Sequence, residues 1–224
     1  MCGRYVKIMS ADEIRKIFGI EDVPEFEPKF NQAPGSMSPI VHLDENGKRK
    51  CTMMLWGLIP FWWKDEAKPK NTTNARSDRI DKAASYREPF KRRRCLIPVN
   101  GFYEWEKTAT GKQPYYITLQ AGEVMAFAGI FDRWKSPTGE VIESFSIITC
   151  DPNEMMQRIH DRMPVILDET AWDKWLSPNT TVSDAKAMLV PYPAELMRLQ
   201  KVSTRVGNSR NEGSDLIKPI DDSN

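Results

Sequence analysis

The stretch Ser38-Pro39-Ile40-Val41-His42-Leu43-Asp44-Glu45-Asn46-Gly47-Lys48-Arg49-Lys50-Cys51-Thr52-Met53-Met54-Leu55 sets two strand-forming segments on either side of Asn46-Gly47. Asn-Gly reverses a chain tightly because both residues tolerate positive φ, so Ser38 to Leu43 and Lys48 to Leu55 read as a β-hairpin. His42 sits inside the apolar first arm and reads as structural. Outward from the hairpin, Arg94 to Val99, Gln113 to Leu119, Val124 to Phe131 and Val141 to Thr149 are also strand-like. Upstream, Ser10-Ala11-Asp12-Glu13 is a capping box followed by Ile14, Ile17 and Phe18 at helical spacing and closed by Gly19. Downstream, Asp151-Pro152-Asn153-Glu154 reads as a helix start, and Asp168 to Leu176 and Ser183 to Leu189 as further short helices. Strands drawn from the whole chain, with short helices between them, predict a mostly antiparallel α+β domain.

The 224 residues suffice for one domain that buries roughly 70 to 75 % of its unfolded surface without disulfides or metal. No repeat or low-complexity linker divides the chain, and only the polar tail after Lys218 reads as dispensable. Cys2, Cys51, Cys95 and Cys150 are widely spaced, with no CxxC and no paired histidines, which predicts reduced thiols and no zinc site. The start lacks a basic region followed by an apolar run, and no stretch approaches the roughly 20 apolar residues of a membrane span. A cytoplasmic protein is expected. With 32 Lys+Arg against 31 Asp+Glu the formal charge is +1, which excludes a broadly basic nucleic-acid coat and requires any polyanion site to be focused.

The chain begins Met1-Cys2-Gly3-Arg4. Removal of Met1, which a small second residue permits, leaves Cys2 with a free α-amine beside its thiol. The amine titrates at about 7.7 to 8.0 and the thiol near 8.5, so both are expected to be partly deprotonated at neutral pH. An aldehyde meeting this 1,2-aminothiol forms an imine with the amine, then accepts the thiol at the same carbon and closes a five-membered thiazolidine.

Four polar or aromatic patches stand apart from the scaffold. In Asn71-Thr72-Thr73-Asn74-Ala75-Arg76 an amide and a guanidinium lie two apart, and on a strand would share a face, able to orient a nucleophile and grip a phosphate. A turn or helix cap is the plainer alternative. In Gly101-Phe102-Tyr103-Glu104-Trp105 a carboxylate sits among aromatics, where burial would raise its pKa towards general acid-base use; an exposed strand glutamate is the other reading. His160 in Ile159-His160-Asp161-Arg162-Met163-Pro164 can shuttle protons near neutral pH, with Arg162 placed to hold a phosphate, unless both are solvated residues at a helix end. In Trp56-Gly57-Leu58-Ile59-Pro60-Phe61-Trp62-Trp63, Trp56 is expected in the core and Trp62 and Trp63 on a loop that could stack on bases. Lys91-Arg92-Arg93-Arg94 reads as a solvated face.

Together these residues resemble the SRAP family, the SOS-response-associated peptidase domain proteins that sense abasic sites in single-stranded DNA. The resemblance rests on Met1-Cys2-Gly3-Arg4, Asn31-Gln32-Ala33-Pro34-Gly35, Trp56-Gly57 with Trp62-Trp63, Asn74-Ala75-Arg76, Gly101 to Trp105 and His160 to Pro164. It extends to Val206-Gly207-Asn208 and Asn211-Glu212-Gly213, in the family's order over nearly the whole chain. It implies a single compact α+β domain over residues 1–218, with a β-barrel-like core, short surrounding helices and a tail at 219–224.

The resemblance further implies attack of the Cys2 amine on C1′ of a ring-opened abasic deoxyribose, with Glu104 and His160 moving protons and Asn74 holding the Cys2 terminus in register. Closure of the thiazolidine would shield the lesion from the β-elimination that nicks the strand. Arg4, Arg76 and Arg162 are candidates for phosphates beside the lesion, and Pro34, Trp62 and Trp63 for stacking on bases or opposing a second strand, as at a primer-template junction. No metal or organic cofactor is implied, and a monomer, nucleoid-associated when on DNA and meeting replication proteins there, is expected. Two alternatives stand beside this reading. One is an N-terminal-nucleophile cysteine peptidase that removes its own leading residue, with possible lyase activity. The other is a non-covalent single-strand binding module in which Cys2 is incidental.

Overall fold

In the computed structural model the described residues are all except Met1, Glu66, Lys68, Glu123 and 221–224. In chain order the strands are β1 (Tyr5–Lys7), β2 (Lys29–Gln32), β3 (Met37–Leu43), β4 (Arg49–Trp56), β5 (Asn74–Arg76), β6 (Arg94–Val99) and β7 (Gly101–Thr108). They continue as β8 (Gly111–Leu119), β9 (Met125–Lys135), β10 (Val141–Cys150), β11 (Met163–Pro164), β12 (Ile166–Leu167) and β13 (Met197–Lys201). Four short helices accompany them, α1 (Ala11–Phe18), α2 (Arg87–Arg92), α3 (Glu169–Leu176) and α4 (Val182–Ala187).

The β3–β4 hairpin is in register from Met37↔Leu55 to Leu43↔Arg49. Its reversal is looser than a two-residue Asn-Gly turn. The Asp44 N–H donates to the Lys48 carbonyl at 2.8 Å, and the Asp44 carboxylate accepts the N–H groups of Asn46 and Lys48 at 2.9 Å each. Gly47 alone takes positive φ, at 76°, so the Asp44 side chain shapes the turn and Gly47 closes it. Helix α1 carries the expected capping box, and Gly19 ends it at φ 63°.

Strands β4, β3, β6 and β9 pair in that order, and β10 pairs with both β9 and β4, so five strands close into a barrel. Closure pairs the ladder groups that an open sheet leaves at its edges. A second, antiparallel sheet of order β13-β8-β7-β1-β2 lies against the barrel, where Phe102 of β7 meets Phe127 of β9 edge-on at 5.7 Å. The α+β class and the barrel are as expected.

Some local expectations give way to tertiary contacts. The expected helix does not begin at Asp151; residues 154–159 form turns, with the Asn153 side chain accepting the Met156 N–H at 2.9 Å. A helix cannot run on, because Pro164 disfavours helical geometry at Met163 and the pair is drawn into β11 against Cys150 and Thr149. The basic run 91–94 is not a uniformly solvated face. Arg94 is buried and donates to the carbonyls of Trp175, Ser177, Phe90 and Lys91, while Arg93 pairs with the buried Asp132 at 3.1 Å. At the far end, Pro219 bridges to Val202 and the Ile220 N–H donates to Lys201, so the tail's first two residues are docked; its remaining residues lie outside the described ones.

Closure leaves little room at Gly129, which faces Cys95 across β6–β9 and Ile147 across β9–β10. A Cβ there would lie 2.3 Å from Ile97 Cδ1, 2.9 Å from Cys95 Sγ and 3.1 Å from the Ser146 carbonyl oxygen. Gly129→Ala is therefore expected to lower stability by about 1 to 3 kcal/mol, and Ile97→Val, which removes the nearest atom, to restore part of it. Urea midpoints of the single and double variants check this; a neutral Gly129→Ala contradicts the crowding.

Candidate functional site

Three segments distant in sequence bring the expected site residues together. The first is Cys2 to Arg4, laid beside β7 by the Tyr103 N–H, which donates to the Arg4 carbonyl at 3.0 Å. The second is β5, which runs parallel to β10 with Asn74 opposite Ile147 and Arg76 opposite Thr149. The third is the segment from His160 to Pro164, held by the pairing of β11 with β10.

Cys2 is wholly enclosed. Its carbonyl accepts the Asn74 Nδ2–H at 3.0 Å, and Asn74 is itself buried. β5 is anchored in turn, because Trp56 Nε1–H donates to the Thr73 carbonyl at 2.9 Å and the Tyr86 hydroxyl to the Asn74 carbonyl at 3.3 Å. Asn74 Oδ1, buried, has no hydrogen-bond partner among the described residues. Burial pushes the Cys2 thiol well above its ordinary range, and the nearby charge of Glu104 raises it further. The partial ionisation expected of a free thiol at neutral pH is thus not met in the folded chain, since the surroundings disfavour a thiolate.

Glu104 is buried on β7, and desolvation raises its pKa to about 7. Of the two readings open for Glu104, the enclosed acid is the one realised. It lines an open cleft of about 990 Å³ together with His160, Asp161 and Thr204. His160 is partly exposed, and burial lowers its pKa below the ordinary 6.5, so the ring is neutral at pH 7. His160 Nδ1 lies 3.1 Å from the Arg162 backbone nitrogen and 2.9 Å from the Asp161 carboxylate. The site therefore holds an acid that exchanges its proton near neutrality beside a neutral imidazole.

The three candidate arginines have different surroundings. Arg76 is exposed and forks onto Asp78, Nε to Oδ1 at 3.0 Å and Nη2 to Oδ2 at 2.9 Å. Arg162 is buried, donating to Asp151 at 2.7 Å and to the Thr149 carbonyl at 2.6 Å, with its Nε lacking a partner among the described residues. Arg4 donates to Asn31 Oδ1 at 2.8 Å and to the carbonyls of Val206 and Gly207. Asn31 Nδ2 also bonds the carbonyls of Val206, Asn208 and Asn211. This clasp explains two conspicuous sequence segments that carry no chemistry of their own.

Pro34, Trp62 and Trp63 lie outside the cleft lining. Pro34 and Gly35, the latter at φ 84°, occupy the centre of a tight turn closed by Ser36 N–H to the Ala33 carbonyl, and Gly35 N–H donates to the Trp56 carbonyl. Trp56 is buried as expected; Trp62 is 42 % exposed, and Trp63 packs beside Leu55, Ile59 and Trp134. Among the described residues no group of three or more His, Cys, Asp or Glu is gathered to hold a metal, and no helix is long and apolar enough to cross a membrane.

Residues 1–209 match the family model for SOS response associated peptidase (SRAP). The chain belongs to the SRAP family. A SRAP relative from Bacillus subtilis (strain 168), the abasic site processing protein YoqW, is 36 % identical over 223 residues, covering 97 % of this chain and 99 % of that protein. The abasic site processing protein HMCES of Gallus gallus is 33 % identical over 264 residues, covering 99 % of this chain and 78 % of that one. A crystal structure of a protein from Bacteroides thetaiotaomicron superposes with a TM-score of 0.88 at 30 % identity, covering 96 % of this SRAP chain and 99 % of the other.

One further residue beside the candidate site of this SRAP chain was not legible in the sequence. Thr149 is fully buried and its Oγ1 lacks a partner among the described residues, although its carbonyl oxygen is bound by Arg162 and its strand position faces Arg76. The only sequence signal was a threonine at the end of a run otherwise apolar from Ile147 to Cys150.

The raised pKa of Glu104 has a consequence for stability. An acid protonated in the fold up to about 7, but ionised above about 4.5 once unfolded, makes the fold less stable as pH rises through that window. Glu104→Gln is expected to gain stability over the parent by on the order of 3 kcal/mol more at pH 8 than at about pH 4. Paired urea titrations check this; a difference that does not change with pH contradicts the buried, shifted acid.

Proposed function

We propose that the protein processes abasic sites in single-stranded DNA by forming a covalent adduct through Cys2 once Met1 has been removed. The observation that carries this reading is the enclosure of Cys2 against Asn74, next to an acid titrating near 7. The names of the relatives agree with an abasic-site substrate.

In the proposed sequence, the Cys2 amine attacks C1′ of the ring-opened deoxyribose and a C–N bond forms. One amine proton passes to the aldehyde oxygen, protonated Glu104 donates to the resulting hydroxyl, water leaves, and a protonated imine remains. The Cys2 thiol then adds to the imine carbon: a C–S bond forms as the C=N π pair returns to nitrogen, which keeps its one proton as the ring amine, and the thiol proton goes to the Glu104 carboxylate. The net change is loss of one water. A thiol held protonated suits this order, because it does not compete with the amine for the aldehyde and loses its proton only as the C–S bond forms. His160 acts as a proton carrier at the sugar, and Asn74, opposite Ile147, and Thr149, two residues further along β10, each bring a buried polar atom to the paired strands. Arg76 and the unused Nε of Arg162 are the proposed phosphate contacts, while Arg4 positions the amino-terminal segment through the Asn31 clasp.

Purified protein incubated with an oligonucleotide carrying one abasic site is expected to give a heat-stable adduct on a denaturing gel, absent with the undamaged strand. Cys2→Ser keeps the amine and weakens ring closure, so the stable adduct should be lost while a borohydride-trapped imine persists. Full yield from Cys2→Ser, or from protein whose Cys2 is still in peptide linkage, would remove the thiazolidine mechanism.

Trp62 and Trp63 are proposed to favour single-stranded DNA and a primer junction over continuous duplex by stacking on, or standing in the place of, a complementary base. Replacing both with alanine should narrow the difference in crosslinking rate between single-stranded and duplex abasic DNA. Equal rates on the two substrates with the parent protein would assign this loop to packing alone.

A further inference from the structure

The cleft in front of Glu104 carries charge that the chemistry at Cys2 does not use. Lys107 and Lys112 are direct partners across the β7–β8 hairpin, both exposed, and both line the cleft. Like charges set opposite one another weaken a strand pair, and an acid within reach would normally offset them. Here the neighbouring acid is engaged elsewhere, since Glu106 accepts the Tyr115 hydroxyl at 2.8 Å. Arg158, exposed on the turn that leads to His160, lines the same cleft. None of the three cations forms an ion pair with the described residues. The exposed acid of the lining, Asp161, lies against His160 Nδ1. In a chain of net charge +1, this is a local excess of positive charge beside the reacting groups.

The position of that charge restricts what it can serve. It is continuous with Glu104 and His160, and the charge of Lys107 reaches His160, whose pKa is lowered first by burial and also by this lysine. Lysines on flexible stems bind phosphate as point charges and carry no base preference, which suits a lesion that occurs in any sequence. Trp105, half-buried on the same strand face as Lys107, also lines the cleft. We propose that Lys107, Lys112 and Arg158 form a phosphate track for the single-stranded DNA flanking the abasic residue, where it leaves the site over the β7–β8 hairpin. This inference rests on the reading of the protein as an abasic-site processor.

The test separates binding from chemistry by using a single strand that carries a tetrahydrofuran residue, an abasic analogue without an aldehyde. For Lys107→Ala/Lys112→Ala/Arg158→Ala, three lost phosphate contacts should weaken binding about tenfold or more and flatten the salt slope by about 2. Lys107→Arg/Lys112→Arg should retain both. Removing nucleotides from one end of the strand should reproduce the loss in the parent and have no effect in the triple variant. An unchanged salt slope in the triple variant overturns the track, even where the parent still crosslinks to abasic DNA. A parent that never crosslinks overturns the covalent reading instead, whatever the slope.

Discussion

The ladder along β10 is the constraint on which the site depends. From Val141 to Cys150 this strand pairs with β9, β4, β5 and β11 in turn. Buried backbone N–H and C=O groups must find partners, and once β9 and β4 have closed the barrel the far end of β10 still has groups to satisfy. β5 and β11 supply them. As a result Asn74 and Arg76 are fixed on one side of Ile147 to Thr149, and the segment that starts at His160 is fixed on the other. Neither β5, three residues long, nor β11, two residues long, could be stable alone.

Enclosure sets the chemistry. Cys2 and Glu104 lie in a region where both thiolate and carboxylate are disfavoured by burial, and the charge of Glu104 further discourages ionisation of the Cys2 thiol. An isolated 1,2-aminothiol in water would be a reactive and unselective reagent. In the fold, Cys2 is instead enclosed and held against Asn74, with its thiol kept protonated and an acid of pKa about 7 nearby. The neutral state of His160 follows from burial as well.

Arginines that look equivalent in the chain separate by their surroundings. Arg94, in a run resembling a charged face, satisfies carbonyls in the interior, and Arg4 ties Asn31 to the late loop at Val206 and Gly207. That loop is thereby tied to the amino-terminal segment by hydrogen bonds that join positions about 200 residues apart. The Asn31 side chain, with its one acceptor and two donors, uses both functions in the clasp.

By itself the sequence determined what depends on neighbours a few residues apart. The capping box at Ser10, the hairpin around Asp44 to Gly47, the strands β3, β4, β6, β8, β9 and β10 and the helix after Asp168 follow from side-chain alternation, turn chemistry and capping, all of which act locally. Cys2 at the second position, and the Asn, Glu and His motifs, were equally legible, because residue type and order identify the chemistry. Tertiary structure alone decided which groups are dry. It closed the barrel, withheld ionisation from the Cys2 thiol, raised Glu104, turned the chain after Asp151 away from a helix, and left Thr149 with an unused hydroxyl. It also set Lys107 opposite Lys112 beside the site. Desolvation and field depend on every element packed around a group, so they appear only when distant segments meet.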